Sequence, residues 1–88
     1  MFTVKKDPEA VLDYTINWTA WLDGDTILTS VWTVPTGITK DSESNTTLRA
    51  TAWLSGGTDG TNYIVVNTIV TAAGRTDERS VVVYVRDR

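Results

Sequence analysis

The sequence predicts one small all-β domain, an immunoglobulin-like antiparallel β-sandwich of six or seven strands, of the fibronectin-III-like type. Its 88 residues are enough for a single domain. Sixteen of them are Thr and Val is also abundant, and both are β-branched residues that favour strands over helices. Apolar and polar residues alternate between frequent turn signals, and no helical apolar stripe is present, which is typical of a sandwich.

The chain begins with a polar segment, residues 1–10, which we predict to be an extended arm in front of a domain at 11–88. Its charged residues offer little to bury, so it is either a solvated terminus or an arm that docks on a partner. The first strand is predicted at 12–18, because apolar and polar residues alternate there. A turn is expected at 23–25.

The middle of the chain carries the weakest strand signal. The second strand is predicted at 26–34 with Trp32 in the core, and the proline that follows ends it because proline donates no hydrogen bond to a ladder. A short strand or sheet edge is expected at 38–42 and a polar turn at 41–46. Whether the whole 35–46 stretch forms strands is left open.

Three further strands are predicted toward the C-terminus. The strand at 47–54 has one apolar face, and a glycine-rich loop follows it. The strand at 63–71 has apolar residues on both faces, as expected for a central strand that is covered on both sides. A hairpin turn at 73–75 leads to a last strand at 79–86. The two faces predicted to be buried consist of Leu48, Ala50, Ala52 and Leu54, and of Val81, Val83 and Val85.

Two details favour the fibronectin-III subgroup of the immunoglobulin-like fold. Trp32 lies in the second strand, where this subgroup often places a core tryptophan. Tyr63 begins a long strand just after a glycine-rich turn, which predicts a tyrosine corner whose hydroxyl bonds to the backbone upstream. The absence of Cys excludes the disulfide of antibody domains but not the fold.

The composition narrows the function. Without His or Cys, the chain lacks the usual general base, thiolate nucleophiles and the commonest transition-metal ligands. A net charge of -3 with no run of Lys or Arg disfavours nucleic acid as a partner. No signal peptide and no bilayer-spanning apolar run is present. We therefore expect a soluble, non-enzymatic protein with no catalytic residue, metal or cofactor, which binds neither nucleic acid nor membrane.

Three loop aspartates are candidates for a cation site: Asp23, Asp25 and Asp59. Loops of this kind offer the carboxylate and carbonyl oxygens that hard cations such as Ca²⁺ prefer. Because Asp-Gly pairs are also the ordinary chemistry of turns, the sequence leaves the choice between a cation site and plain turns open.

Four residues are candidates for a contact surface: Trp21, Trp53, Arg75 and Arg79. Trp21 follows the first strand and Trp53 lies opposite the apolar face of its own strand, so either could be exposed and anchor a protein or a sugar ring. The alternative for both is packing beneath a loop or against the N-terminal arm. The two arginines are either part of a solvated hairpin tip or the polar rim of a contact surface.

Several short strings of this chain recur, in the same order and spacing, in a set of small phage and prophage proteins. They include Lys6-Asp7-Pro8, Trp18-x-x-Trp21-Leu22, Trp32-Thr33-Val34 and Trp53-Leu54-Ser55-Gly56-Gly57-Thr58. From about residue 5 to residue 86 the chain resembles the phage fibre–tail adaptor family, small immunoglobulin-like proteins of tailed-phage structural modules. The resemblance implies a virion structural protein without a catalytic motif, found in the phage tail, or in the bacterial cytoplasm when expressed from a prophage. It implies other phage tail or virion proteins as partners and is compatible with an oligomer.

A second hypothesis is a surface binding module that recognises carbohydrate or a host receptor. Its stacking platform would be an exposed Trp21 or Trp53. For either hypothesis we expect assembly contacts at sheet edges, at the N-terminal arm or at both, because unpaired strand edges accept further strands.

Overall fold

The computed structural model describes the backbone of residues 2–87 and the side chains of residues 3–87. Seven strands and one short helix make up this part of the chain. In chain order they are β1 (Phe2–Lys6), β2 (Leu12–Asn17), α1 (Thr19–Leu22), β3 (Ile27–Thr33), β4 (Ile38–Asn45), β5 (Arg49–Gly56), β6 (Asn62–Thr71) and β7 (Thr76–Val85). No helix among the described residues is long or apolar enough to cross a membrane.

The strands form two sheets that pack face to face, which confirms the predicted all-β sandwich. One sheet has four strands in the order β1-β7-β6-β3, and the other has three in the order β2-β5-β4. Neighbouring strands are antiparallel except for β1 and β7, which pair in parallel. In the immunoglobulin-like scheme, β2, β5 and β4 take the places of strands B, E and D, while β3, β6 and β7 take those of C, F and G.

The expectation of a solvated arm at the N-terminus is wrong for residues 2–6. They form β1, whose backbone pairs with β7 from Phe2 opposite Val81 to Lys6 opposite Val85. Lys6 is only 1% exposed. Its ammonium group donates to the carbonyl oxygens of Gly56 at 2.7 Å and of Asp7 at 2.9 Å. These hydrogen bonds and the parallel pairing with β7 hold this segment against the sandwich, although its charges had predicted a solvated arm.

The 35–46 stretch, which was left open, contains the full-length strand β4. The turn predicted at 41–46 is therefore wrong, because this segment pairs with β5 as far as Asn45. A bulge between Lys40 and Ser42 shifts the register and interrupts the alternation that a sequence pattern would show. Ile38 is buried, whereas most of the strand is polar and exposed, as edge strands often are.

The core lies between the sheets and contains the faces predicted to be buried, except Leu48, which is half-buried against it. Trp18 and Trp32 are 0% and 2% exposed. Asn67 is also fully buried, and its amide oxygen accepts the indole N–H of Trp18 at 2.9 Å while its amide nitrogen donates to Ser30 Oγ at 2.9 Å. The prediction that β6 is covered on both sides is wrong for its outer face, where Ile64 is 53% exposed.

The predicted tyrosine corner is present. The hydroxyl oxygen of Tyr63 accepts the backbone N–H of Thr58 at 2.9 Å, across the glycine-rich turn. Hydrogen bonding to Thr58 lowers the pKa of Tyr63. Gly37 lies against the ring with a φ of +105°, and a Cβ there would come within 2.9 Å of Tyr63 Cε1. Glycine is thus required at this position by both its backbone conformation and the close approach of the ring.

Candidate interaction surfaces

One end of the sandwich gathers three of the four candidate contact residues. The β6–β7 hairpin brings Arg75 over Trp21 of α1, with the guanidinium carbon 4.4 Å from the ring centroid. Arg75 also donates to the carboxylate of Asp25 at 3.1 Å and to the carbonyl oxygen of Leu22 at 2.7 Å. The arginine is therefore held in one orientation, although 43% of its side chain is exposed.

A second arginine, Arg79, stacks on Trp18, the ring that packs against Trp21. The ring of Trp21 meets that of Trp18 edge to face, with centroids 5.4 Å apart and planes at 73°. The guanidinium carbon of Arg79 lies 4.1 Å from the Trp18 ring centroid, and Nη1 donates to the carbonyl oxygen of Asn17 at 3.4 Å. We call Trp18, Trp21, Arg75 and Arg79 the arginine–tryptophan cluster, because cation–π and aromatic contacts join all four.

Asp25 anchors this cluster electrostatically. A hydrogen bond from the Thr71 hydroxyl is the main cause that lowers the pKa of Asp25, and bonds from Arg75 and from the N–H groups of Thr26 and Ala73 add to it against the effect of burial. The carboxylate therefore stays ionised and joins the α1–β3 loop to the β6–β7 hairpin.

The three loop aspartates lie in separate structural settings. Asp23 has a φ of 48° and ends α1 in the left-handed conformation. Asp25 is engaged by Arg75, and Asp59 accepts the backbone N–H of Asp87 at 2.8 Å. Within residues 2–87, no three His, Cys, Asp or Glu side chains come together in a way that could hold a metal ion.

Trp53 stands apart from the cluster, on the outer face of the three-stranded sheet. It is 42% exposed and lies between Asp13 of β2 and Ser42 of β4. The surface around it is polar: the hydroxyls of Thr15 and Thr51 are hydrogen-bonded at 2.9 Å. Trp53 is thus an isolated aromatic ring on a surface of hydroxyl and carboxylate groups.

One lateral side of the sandwich, where β3 and β4 run next to each other, is closed by an ion pair. Glu43 Oε2 accepts the backbone N–H of Trp32 at 3.0 Å, and Lys40 Nζ donates to the backbone oxygen of Trp32 at 3.0 Å. Lys40 and Glu43 are themselves 2.8 Å apart. Burial raises the pKa of Glu43, but the bonds from Lys40 and Trp32 outweigh it and the net shift is downward. Sequence reasoning missed this pair because its segment reads as a polar turn.

The other lateral side, between β1 and β2, holds a groove of about 330 Å³. Its walls are Thr3 and Val4 of β1, residues 14–17 of β2, and Val81 of β7. Among the described residues, no backbone hydrogen bond joins β1 to β2. Tyr14 lines the groove, and its buried hydroxyl has no hydrogen-bond partner in the described part of the chain. Burial raises the pKa of Tyr14.

Comparison with known proteins agrees with the resemblance seen in the sequence. Residues 6–84 match the family described as "Podophage GP4 fiber-tail adaptor protein gp77", which takes in all strands except most of β1 and the last residue of β7. No curated protein matches the chain. Because the family match spans nearly the whole sandwich, the chain belongs to the podophage fibre–tail adaptor family.

Proposed function

We propose that this protein is a non-enzymatic structural component of a phage tail that joins tail parts by protein–protein contact. The observation that carries the proposal is the family match over residues 6–84. Asp25 and Glu43, the two acidic residues with a shifted pKa, are both held in ion pairs within the fold, which supports a structural role for them. Its place is the virion, and a protein expressed from a prophage resides in the bacterial cytoplasm before assembly.

The contact residues that we propose are Trp21, Arg75 and Arg79 of the cluster, together with Trp53. Tryptophan and arginine are the residue types that most often dominate binding energy at protein interfaces. The cluster is already rigid, because Asp25 and the tryptophan rings hold both arginines in place. Binding of a partner there would therefore cost little side-chain entropy, because the two arginines are already ordered.

A gene knockout tests the proposal. Particles of a phage that encodes this chain are purified from the wild type and from a strain with an amber codon in the gene, and their proteins are quantified by mass spectrometry. We expect the chain in wild-type tails, and amber particles that lack it and have lost the tail proteins that depend on it, with both restored by complementation. Absence of the chain from wild-type particles, or unchanged composition of amber particles, would contradict the proposal.

A carbohydrate-binding role is the second candidate, and it rests on Trp53. This ring is 42% exposed among polar groups, which suits stacking against a sugar. Trp21 is less suited, because Arg75 covers one face of its ring and Trp18 meets it edge to face. The role predicts glycan-dependent quenching of tryptophan fluorescence that Trp53→Ala abolishes and Trp21→Ala retains. No response to any sugar on a glycan array would exclude it.

A further inference from the structure

We propose that the free edge of β2, together with the groove between β1 and β2, accepts an extended segment of another tail protein as an additional strand. We call this edge and groove the acceptor site. The proposal deepens the adaptor function and rests on it in one respect, since it takes the partner to be a tail protein. It names the part of the surface that binds and the form in which the partner binds.

The backbone groups of every second residue in β2 point away from β5. The N–H of Trp18, just beyond the strand, donates to Leu48 at 2.9 Å, and the register continues with Ile16 opposite Ala50. In an antiparallel ladder, alternate residues point their N–H and C=O groups to the two sides. The N–H and C=O groups of residues 13, 15 and 17 therefore point away from β5, toward the unpaired edge of β2.

At this edge, most of the outward groups are unused. Arg79 occupies the carbonyl oxygen of Asn17. Among the described residues, no hydrogen bond to the backbone groups of Asp13 or Thr15 is present. Two residues thus offer a donor and an acceptor each, in the spacing that a further strand requires.

The edges of β3 and β4 are less available. The outward groups of Trp32 on β3 are already bonded to Lys40 and Glu43. The edge of β4 carries a bulge next to Lys40 and is polar beyond Ile38. Bulges and edge charges are the usual means by which proteins prevent strand addition. The edge of β2 has no bulge, since its register with β5 is regular from Leu12 to Asn17, and Asp13 is its one charged residue.

The groove provides room for the side chains of an added strand. Every second side chain of a strand beside β2 would point inward, between β1 and β2. Val4, Ile16 and Val81 give the groove apolar walls, and its volume of about 330 Å³ holds about two medium-sized apolar side chains. An occupant with apolar residues at alternate positions therefore fits.

The charges at the two ends of β2 define the occupant further. Arg79 lies at the Asn17 end, and the exposed Arg49 is opposite Asn17 on β5. Glu9, in the preceding turn, and Asp13 are exposed at the other end of the strand. By complementarity, the partner segment carries an acidic residue where it passes Asn17 and a basic one where it passes Asp13.

Site-specific photo-crosslinking in assembled tails tests the acceptor site. Thr15 and Ser44 both lie opposite Thr51, so they occupy one row of the three-stranded sheet at its two edges. A benzophenone amino acid is placed at position 15 or, as the matched control, at position 44, and the gene is supplied to amber-mutant phage. We expect a crosslink from position 15 to a different tail protein, at least about tenfold stronger than from position 44.

Backbone variants provide a second readout. Thr15→Pro removes the outward N–H, and proline is tolerated where an edge strand needs no donor. Thr15→Val keeps that N–H but loses the hydroxyl bond to Thr51. With folding checked by circular dichroism, we expect incorporation into tails to fall by about tenfold for Thr15→Pro and to stay at the wild-type level for Thr15→Val.

The outcomes separate this inference from the adaptor function. Incorporation into tails with a crosslink only from position 44, or equal incorporation of Thr15→Pro and wild type, would overturn the acceptor site and leave the adaptor function intact. A crosslink from position 15 to a second copy of the chain would also overturn it. Absence of the wild-type chain from tails would overturn the adaptor function itself.

Discussion

The two lateral sides of this sandwich differ in how they treat their unpaired strand edges. We call the β3–β4 side the closed side and the β1–β2 side the open side. On the β3–β4 side, Lys40 and Glu43 reach from one sheet to the other and bind the outward backbone groups of Trp32. On the β1–β2 side, the sheets are joined at the two ends, by Lys6 bonded to Gly56 and by Arg79 bonded to Asn17. Between those two contacts lies the groove.

The difference shows where this small protein can accept a partner without disturbing its own core. An unpaired strand edge invites pairing with other chains, and most soluble proteins block it. Here one side is blocked by charged side chains and the other keeps free backbone groups beside an apolar cavity. The sandwich is therefore asymmetric in its capacity to bind, although both sides belong to the same core.

The largest effect is expected from Lys6, which joins the two sheets at the open side. Lys6→Met keeps the apolar stem of the buried side chain but leaves the carbonyl oxygen of Gly56 without its donor. We expect a loss of about 2 kcal/mol in the free energy of unfolding, measured by urea denaturation. The exposed neighbour supplies the control, Lys5→Met, which should change stability by less than about 0.5 kcal/mol. Equal stabilities of the two variants would show that Lys6 does not join the sheets.

A smaller, pH-dependent effect is expected at the arginine–tryptophan cluster, which supports the Asn17 end of the open side. Hydrogen bonding lowers the pKa of Asp25 in the folded protein, so its ionised form stabilises the fold above the pKa of the unfolded chain. This contribution is lost as the pH falls through the folded value. Asp25→Asn should lower Tm by a few degrees at pH 7, and the difference from wild type should shrink below about pH 4. A difference that stays constant from pH 7 to pH 3 would argue against the role of the carboxylate.

The smallest change in stability is expected at the closed side. The Lys40–Glu43 pair is partly exposed, so Glu43→Gln should cost less than about 1 kcal/mol. The double variant Lys40→Ala/Glu43→Ala removes both side chains that bind the backbone of Trp32. Because this leaves the edge of β3 unpaired, we expect the double variant to self-associate. Analytical ultracentrifugation checks this, with the nearby Asp41→Ala as control. A double variant that sediments like the wild type would show that the pair does not protect the edge.

The sequence was most informative where side chains alternate regularly. The alternation of Ile16 with polar neighbours, the core position of Trp32 and the corner formed by Tyr63 were all predictable from pattern alone. Where a bulge interrupts the alternation, as between Lys40 and Ser42, the pattern read as a turn.

Features that depend on distant partners were beyond sequence reasoning. Lys6 is buried because a carbonyl oxygen 50 residues away accepts its ammonium group, and nothing local indicates this. The same holds for Asn67, whose place in the core depends on the indole of Trp18. Among the candidate contact residues, only the structure shows that Arg75 and Arg79 stack on two tryptophans while Trp53 stands alone.

The most direct test of the asymmetry is amide hydrogen exchange, measured for the free protein and for the protein in assembled tails. In the free protein, the amide of Thr15 should exchange rapidly, and that of Trp32 more slowly because Glu43 accepts its hydrogen. In tails, we predict that Thr15 becomes protected while Trp32 is unchanged. Protection of Trp32 on assembly with Thr15 still exchanging rapidly would contradict the account, because the partner would then bind the side that the ion pair closes.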